Sequence, residues 1–459
     1  MTAEPPRGIA VLDVGATHTK LLLFDAALNL LAEEKIASAE RPGPPYTALD
    51  PEPALALAAR RLPEFDRLLS VDAIVPSTHG SALALLDAEG RPALPIMAYW
   101  AEPPGAVRAA YRVLAPPFAE VCCPLNPMAL TLGLQLFWQE TAFPEPFART
   151  RTILPLAQYL AHRLGGRLAS EVTGLGAQTQ LWDVRANRLS SIARTRAWDR
   201  LFAPMARAWE RLGRHPGLTG RGGIAAGIHD SNANWLRYLA AGRPGLTLLS
   251  TGSWIIGFEG ATDVFALDPA RDTASNTDIF GRPVASGRFY GGVEFAVLAG
   301  GAPPEAATPQ ALARLVARGT LALPSFSDSG GPMPGTGGRG RILGPPPENA
   351  GERSALAALY CALMTAELLD AIGSRGEIVV DGPFALNPLF AATLAALLAP
   401  QPVATSRLAE GTAAGAAILG LMGEDGTLPR IGLALGPVAP AALPGLAAYQ
   451  ARWRSLAAP

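Results

Sequence analysis

Asp13, Gly15, Ala16, Thr17 and Lys20 fall within one short polar segment, Asp13-Val14-Gly15-Ala16-Thr17-His18-Thr19-Lys20, set between two apolar runs. Together these residue types can hold a phosphate beside a hydrated cation. Gly15 frees the backbone to turn sharply, so that amide N–H groups and threonine hydroxyls converge on an anion. Asp13 supplies an acceptor-only carboxylate of the kind Mg2+ takes singly or in pairs while keeping its waters. Lys20 adds a mobile positive charge. Thr251, Gly252 and Ser253 repeat the hydroxyl and amide chemistry between a second pair of apolar runs, without a carboxylate, which suits a phosphate contact made without metal. One such turn alone is as readily an ordinary β-hairpin; its recurrence reads as a two-part nucleotide clamp.

Gly227-Ile228-His229-Asp230-Ser231 precedes a helical run. A carboxylate there can be a plain helix cap, or Asp230 can take the proton from a hydroxyl that attacks a phosphoryl group, with His229 and Ser231 orienting the acceptor. Ser77-Thr78-His79-Gly80 follows a buried strand, the end of an α/β sheet at which ligands commonly bind. Trp100 and Glu102 offer a ring face and a carboxylate suited to a polyhydroxylated ligand, although either cluster can be plain loop. Asp381-Gly382-Pro383 and Asn387-Pro388 lead into a further helix. Glu410-Gly411-Thr412-Ala413-Ala414-Gly415-Ala416-Ala417 follows further on, and its small residues fit either close core packing or a flat slot for an adenine ring.

The elements that must position these groups alternate strand and helix. Strands are expected near 9–13, 20–25 and 28–35, a helix near 52–69, a strand at 73–75, and a hairpin pairing 82–86 with 93–99. Helical patterns cover 127–142, 155–164 and 232–241, followed by a turn at 242–244. After the second hairpin come a helix near 352–373, a strand at 378–380 and a helix from about Asn387. Strand, glycine turn and helix therefore occur in each half, as in a diverged internal duplication. Pro324 to Pro347 is dense in Gly and Pro and reads as a long mobile or functional loop. Its Gly335-Thr336-Gly337-Gly338-Arg339-Gly340 matches GxGxxG in form only, since no strand precedes it and no helix follows.

A chain of 459 residues, 49% of them hydrophobic, can bury two or three domain cores. Its formal net charge of −1 argues against broad attraction to nucleic acid or anionic membrane and favours a small-molecule partner. Cys122, Cys123 and Cys361 make no metal spacing and read as reduced structural thiols. The start shows no secretory pattern, and no run of about eighteen uninterrupted apolar residues occurs, so a cytoplasmic protein is expected.

These motifs resemble the FGGY carbohydrate kinase family, and by motif most nearly its rhamnulokinase members. The match is carried by Asp13 to Thr17 with Lys20, Gly227 to Ser231, Thr251 to Trp254, and Asp381-Gly382 with Asn387-Pro388, in order along nearly the whole chain. It implies two RNase-H-like domains of the actin/hexokinase type with an interdomain cleft, divided as 1–242 and 243–459. It further implies Mg2+ at Asp13, ATP phosphates at Ala16, Thr17 and Lys20, Asp230 as proton acceptor, and cofactor contacts from Ser253, Gly382 and Asn387. Substrate contacts are implied for Gly80, His229, Ser231 and Asn276, with His79, Trp100 and Glu102 alongside. The implied reaction is ATP-dependent phosphorylation of a free sugar, a ketose such as L-rhamnulose, L-fuculose or a pentulose, by an enzyme for which a homodimer is compatible. A kinase of a non-sugar polyol or signalling molecule, and a catalytically silent nucleotide sensor, stand as alternatives. Asp381-Gly382-Pro383 replaces the Gly-Gly-Gly usual in the family, which leaves nucleotide preference open.

Overall fold

Residues 9–12 and 21–24 are uniformly apolar because both faces of the strands they form are covered. A computed structural model describes residues 7–243, 245–406, 408 and 410–457. In it β1 (Gly8–Val14), β2 (His18–Phe24) and β3 (Leu30–Ala37) make an antiparallel meander. Helix α1 (Glu52–Leu68) then returns the chain so that β4 (Val71–Thr78) lies parallel to β1. After α2 (Leu156–Arg163) and the short α3 (Val172–Leu175), strands β5 (Arg211–Arg214) and β6 (Gly223–Ala225) extend the sheet in the order β5-β6-β4-β1-β2-β3. The two-residue β7 (Ile228–His229) also pairs with β4 and runs straight into α4 (Asp230–Ala240).

Strand alternation sorts the core. Ile9, Val11, Leu22 and Val75 face a cluster containing Ala233 and Leu236 of α4, whereas Ala10, Leu12, Leu21 and Ile74 face Leu57, Leu62 and Phe65 of α1. All these side chains but a few are fully buried, so a charge on either face would be expelled.

The second unit repeats the plan. Strand β8 (Thr247–Thr251) pairs antiparallel with β9 (Ile255–Glu259), β10 (Thr273–Thr277) and β11 (Pro283–Phe289) follow, and α5 (Gly291–Ala299) and α6 (Ala350–Ala371) lead to β12 (Ile378–Asp381), parallel to β8. Helix α7 (Pro388–Leu398), β13 (Val403–Ser406) and β14 (Leu435–Pro437) complete the sheet, in the order β10-β11-β9-β8-β12-β13-β14, with α8 (Gly411–Leu421) lying between the last two strands in sequence only. By length and composition α6 could cross a membrane, yet 89% of its most apolar window is buried, as a core helix requires.

The division into units differs from a single break after residue 242. The first unit takes the described residues up to Ala241 together with Ser275–Pro283 and Glu410–Ile431; the remainder forms the second. Helix α8 therefore packs in the first unit, on α4, where a Cβ at Gly415 would stand 1.9 Å from the Ala233 carbonyl oxygen. Its small residues serve close core packing. Two local expectations are met only in part. The hairpin of 82–86 with 93–99 is present only at its start, where Ala93 N donates to the Leu85 carbonyl at 2.7 Å, while the ladder of Leu83–Leu86 is with Thr152–Pro155, and the helix expected from 127 begins at Leu132. Pro244 lies outside the described residues.

Nor is the Gly- and Pro-rich segment 324–347 loosely attached. Glu294 of α5, fully buried, accepts Ser325 Oγ at 2.7 Å, Ser327 Oγ at 2.8 Å and Phe326 N at 3.1 Å, besides the Tyr360 hydroxyl. Arg341–Leu343 within it pairs with Leu321–Leu323. A buried carboxylate is tolerable only with such a full set of donors, so the segment is pinned where it crosses α5.

Candidate active site

Strand β4 brings the first unit's acids together. In its register Ser77 stands opposite Asp13 on one side and Ile228 on the other, and Thr78 stands opposite Val14 and His229. Asp13 and Asp230, distant in sequence, thus flank one strand end. Ser77 Oγ donates to Asp13 Oδ1 at 2.9 Å. Burial at this crowded strand end and the charges of Asp230 and Glu410 push the Asp13 carboxyl up to about 7, against the opposing pull of Ser77 and Lys20.

Lys20 is not the mobile charge its sequence position suggests. Its Nζ donates to Glu410 Oε1 at 2.6 Å and Oε2 at 2.7 Å. In the turn itself, Gly15 N donates to the His18 carbonyl at 2.9 Å and Gly15 O accepts Ser38 Oγ at 2.7 Å. Gly15 has no left-handed φ, so the turn does not depend on glycine in the way expected. Ala16 is half-buried and Thr17 exposed.

His229 is held from several sides. Its backbone N–H donates to Thr173 Oγ1 at 3.0 Å, its Nδ1 lies 2.9 Å from Asn232 Oδ1, and its Nε2 is 3.3 Å from Asp230 Oδ1. The Thr277 carbonyl can only accept, so the Asn232 amide nitrogen faces it and Asn232 Oδ1 faces the imidazole. That network puts a proton on Nδ1. Gly80 is required beside this ring, since a Cβ there would stand 2.8 Å from His229 Nε2. His79 is buried, bonds the Gly80 carbonyl through Nδ1 at 2.8 Å, and packs edge-on to Tyr99 with ring centroids 5.4 Å apart. Burial above all holds its pKa below the ordinary histidine value.

Asp230 Oδ1 accepts the Ser231 N–H at 2.5 Å and Ser231 Oγ at 3.2 Å, while Oδ2 takes no hydrogen bond among the described residues. The carboxylate at the helix start is therefore anchored by one oxygen and open at the other, a geometry that can accept a proton. Asn276 lies in the segment that joins this unit, next to Thr277, and its Oδ1 is buried with no partner among the described residues. Trp100 donates its indole N–H to Glu40 at 2.9 Å, and Glu102 is exposed. A cavity of about 500 Å3 bounded by Arg41, Tyr46, Tyr159 and Arg163 lies on this unit and includes none of the expected residues.

In the second unit several expected ligand groups are already engaged. Thr251 Oγ1 donates to the Asp381 carbonyl at 2.5 Å and accepts Phe384 N at 3.1 Å. Asn387 caps α7, its Oδ1 accepting Phe390 N at 3.0 Å. Gly382 has φ +89°, and a Cβ there would lie 2.1 Å from the Thr251 carbonyl oxygen, so only glycine fits. Ser253 is exposed, and Gly252 has open space around its Cα. Beside them Trp254 stacks on Tyr290 at 3.5 Å between centroids, with Arg288 over the Trp254 ring. Asn232 and Thr173 carry no signal for such a role in the sequence. Glu410 heads the small-residue run up to Ala417, but nothing local pairs it with Lys20.

A profile described as carbohydrate kinase FGGY, C-terminal domain, matches residues 243–428. Among solved structures, a carbohydrate kinase from Novosphingobium aromaticivorans is 32% identical, with 98% of this chain and 100% of that chain covered and a TM-score of 0.86. A xylulose kinase from Rhodospirillum rubrum is 20% identical, with 98% of each chain covered and a TM-score of 0.78. A Plasmodium falciparum glycerol kinase with ADP is 13% identical, with 98% and 97% covered and a TM-score of 0.76. No protein of curated function matches. The fold is thus the two-domain α/β arrangement of the actin/hexokinase type found in sugar kinases. The chain belongs to the FGGY carbohydrate kinases and is a phosphotransferase.

Proposed function

We propose that this kinase uses ATP and Mg2+ to phosphorylate a hydroxyl of a free ketose, such as L-rhamnulose, L-fuculose or a pentulose, with Asp230 as proton acceptor. The observation that carries the reading is the pairing at the end of β4: Asp230, with Oδ2 open, lies close enough to Asp13 for its charge to raise the Asp13 carboxyl. Asp230 takes the proton of the sugar hydroxyl as that oxygen bonds to phosphorus; the O–H bond breaks, the O–P bond forms, and the bond from phosphorus to the ADP oxygen breaks. The orphaned Asn276 Oδ1 supplies an acceptor for another hydroxyl of the sugar.

The donor set suits Mg2+. Asp13 fits as a single carboxylate ligand among waters and phosphate oxygens; its carboxyl is pushed up first by burial and then by the charges of Asp230 and Glu410, and a hard cation would relieve the latter. Asp13 would hold the ion, which would neutralise charge on the phosphates. The test is a panel of ketoses and polyols with coupled detection of ADP. Turnover confined to ketoses supports the reading; turnover of polyols alone redirects it, and none with any sugar overturns it.

A further inference from the structure

Asp230 projects from a turn with little backbone support. Strand β7 is two residues long, α4 starts at once, and His229, at the N-cap position, makes no side-chain cap bond. Gln158 Nε2 donates to the Ala226 and Gly227 carbonyls at 3.0 and 3.4 Å just before the turn, and the His229 N–H at the helix start is held by a side chain from α3. Thr173, fully buried, accepts the His229 N–H on its Oγ1 at 3.0 Å and donates its own hydroxyl to Glu171 Oε2 at 2.5 Å. A hydroxyl already donating to a carboxylate has its lone pairs aimed elsewhere and is a better acceptor, so the two bonds reinforce each other. Glu171 is fully buried as well, and also accepts the Thr173 N–H at 2.9 Å. Its other oxygen, Oε1, and the Oε1 of Gln158 are buried without partners among the described residues. Burial raises the Glu171 carboxyl to about 7. Such a carboxylate is a costly way to hold a loop unless the loop has to be held in one place.

Resting on the reading of Asp230 as proton acceptor, we infer that Thr173 is a positioning residue for phosphoryl transfer, its hydroxyl being locked by Glu171 so that it fixes the His229 N–H and with it the direction of the Asp230 carboxylate. Fully buried, it acts through the His229 N–H. A shift of the carboxylate by a fraction of an ångström removes the aligned approach to the acceptor hydroxyl without disturbing nucleotide binding.

The test compares Thr173→Val, which removes the hydroxyl at nearly constant volume, with Thr173→Ser, which keeps it, in the full chain. Hydrogen exchange of the peptide spanning 227–231 should quicken in the valine variant and return to the wild-type rate in the serine variant. With a turned-over sugar, kcat of Thr173→Val should fall by about tenfold or more, with KM for ATP within about twofold, and Thr173→Ser should recover most of kcat. Unchanged exchange, or wild-type kcat in a folded Thr173→Val enzyme, overturns the inference. Asp230→Asn run alongside separates the two claims: if it is inactive while Thr173→Val is normal, Asp230 stands and Thr173 does not; if it stays active, the reading of Asp230 fails on its own account.

Discussion

The two units carry the same strand register with acid and hydroxyl exchanged. In the first, Asp13 on the hairpin strand stands opposite Ser77 on the parallel neighbour; in the second, Ser250 on the hairpin strand stands opposite Asp381 on the neighbour. Ser77 donates to Asp13, leaving the carboxylate crowded by other acids and open to a cation. Asp381 is instead buried, and its Oδ1 accepts the Gly382 N–H at 2.8 Å, where the chain turns with φ +89°. Position for position, one acid is, on the proposed reading, a metal ligand and the other accepts a backbone N–H. The shared register accords with the internal duplication expected from the sequence, and the exchange of two side chains marks where the two copies differ.

The largest effect should come from the first unit. Asp230→Asn keeps the shape and cannot accept a proton, so kcat should fall at least about a hundredfold with ATP affinity nearly unchanged, as measured by steady-state rates and nucleotide titration. Substantial turnover in the folded variant would remove the base. In the second unit the corresponding sensitivity is structural. Gly382→Ala forces a Cβ against the Thr251 carbonyl at positive φ and should cost roughly 2 kcal/mol or more by denaturant unfolding. An alanine variant of normal stability would show that this turn yields more easily than its geometry implies.

A smaller effect separates the acids by pH. The folded pKa of Asp13 is raised, to about 7 from a usual value near 4, so the folded state binds the extra proton between those values. Its stabilising share is present below about pH 4 and is lost as pH rises to about 7. In Mg2+-free buffer the melting temperature of Asp13→Asn should therefore gain on wild type across that window and run parallel above it. A constant gap would place Asp13 in a less crowded setting.

Much of this was legible locally. The runs 9–12 and 21–24, the turn between them and the strand at 378–380 announce themselves because each is contiguous and apolar on both faces. The same holds for Asp13 and Asp230, whose places at strand and helix ends follow from neighbours within a few residues. What escaped depends on partners far along the chain. Lys20 meets Glu410 across 390 positions, and Asn232 meets Thr277 through a segment that leaves one unit to join the other. Thr251 and Asn387 have the residue types of ligand contacts, yet their side chains answer backbone groups whose need arises only in the folded turn. The strand partner of Leu83–Leu86 was missed for a similar reason, since the nearer run supplies only the bond from Ala93 N to the Leu85 carbonyl and the ladder is made with Thr152–Pro155 far along the chain.

The exchange of acid and hydroxyl is tested most directly by making the same change in both copies, Asp13→Ala and Asp381→Ala, and measuring kcat and melting temperature for each at pH 8. The account predicts a crossover. Asp13→Ala should lose about two orders of magnitude in kcat and raise the Mg2+ requirement while melting at or above the wild-type temperature, because an ionised carboxylate in a repulsive setting has been removed. Asp381→Ala should melt lower, by the roughly 1–3 kcal/mol of an unsatisfied Gly382 N–H, and keep kcat within a few-fold. Equal losses of activity in the two variants, or a destabilised Asp13→Ala with normal turnover, would contradict it.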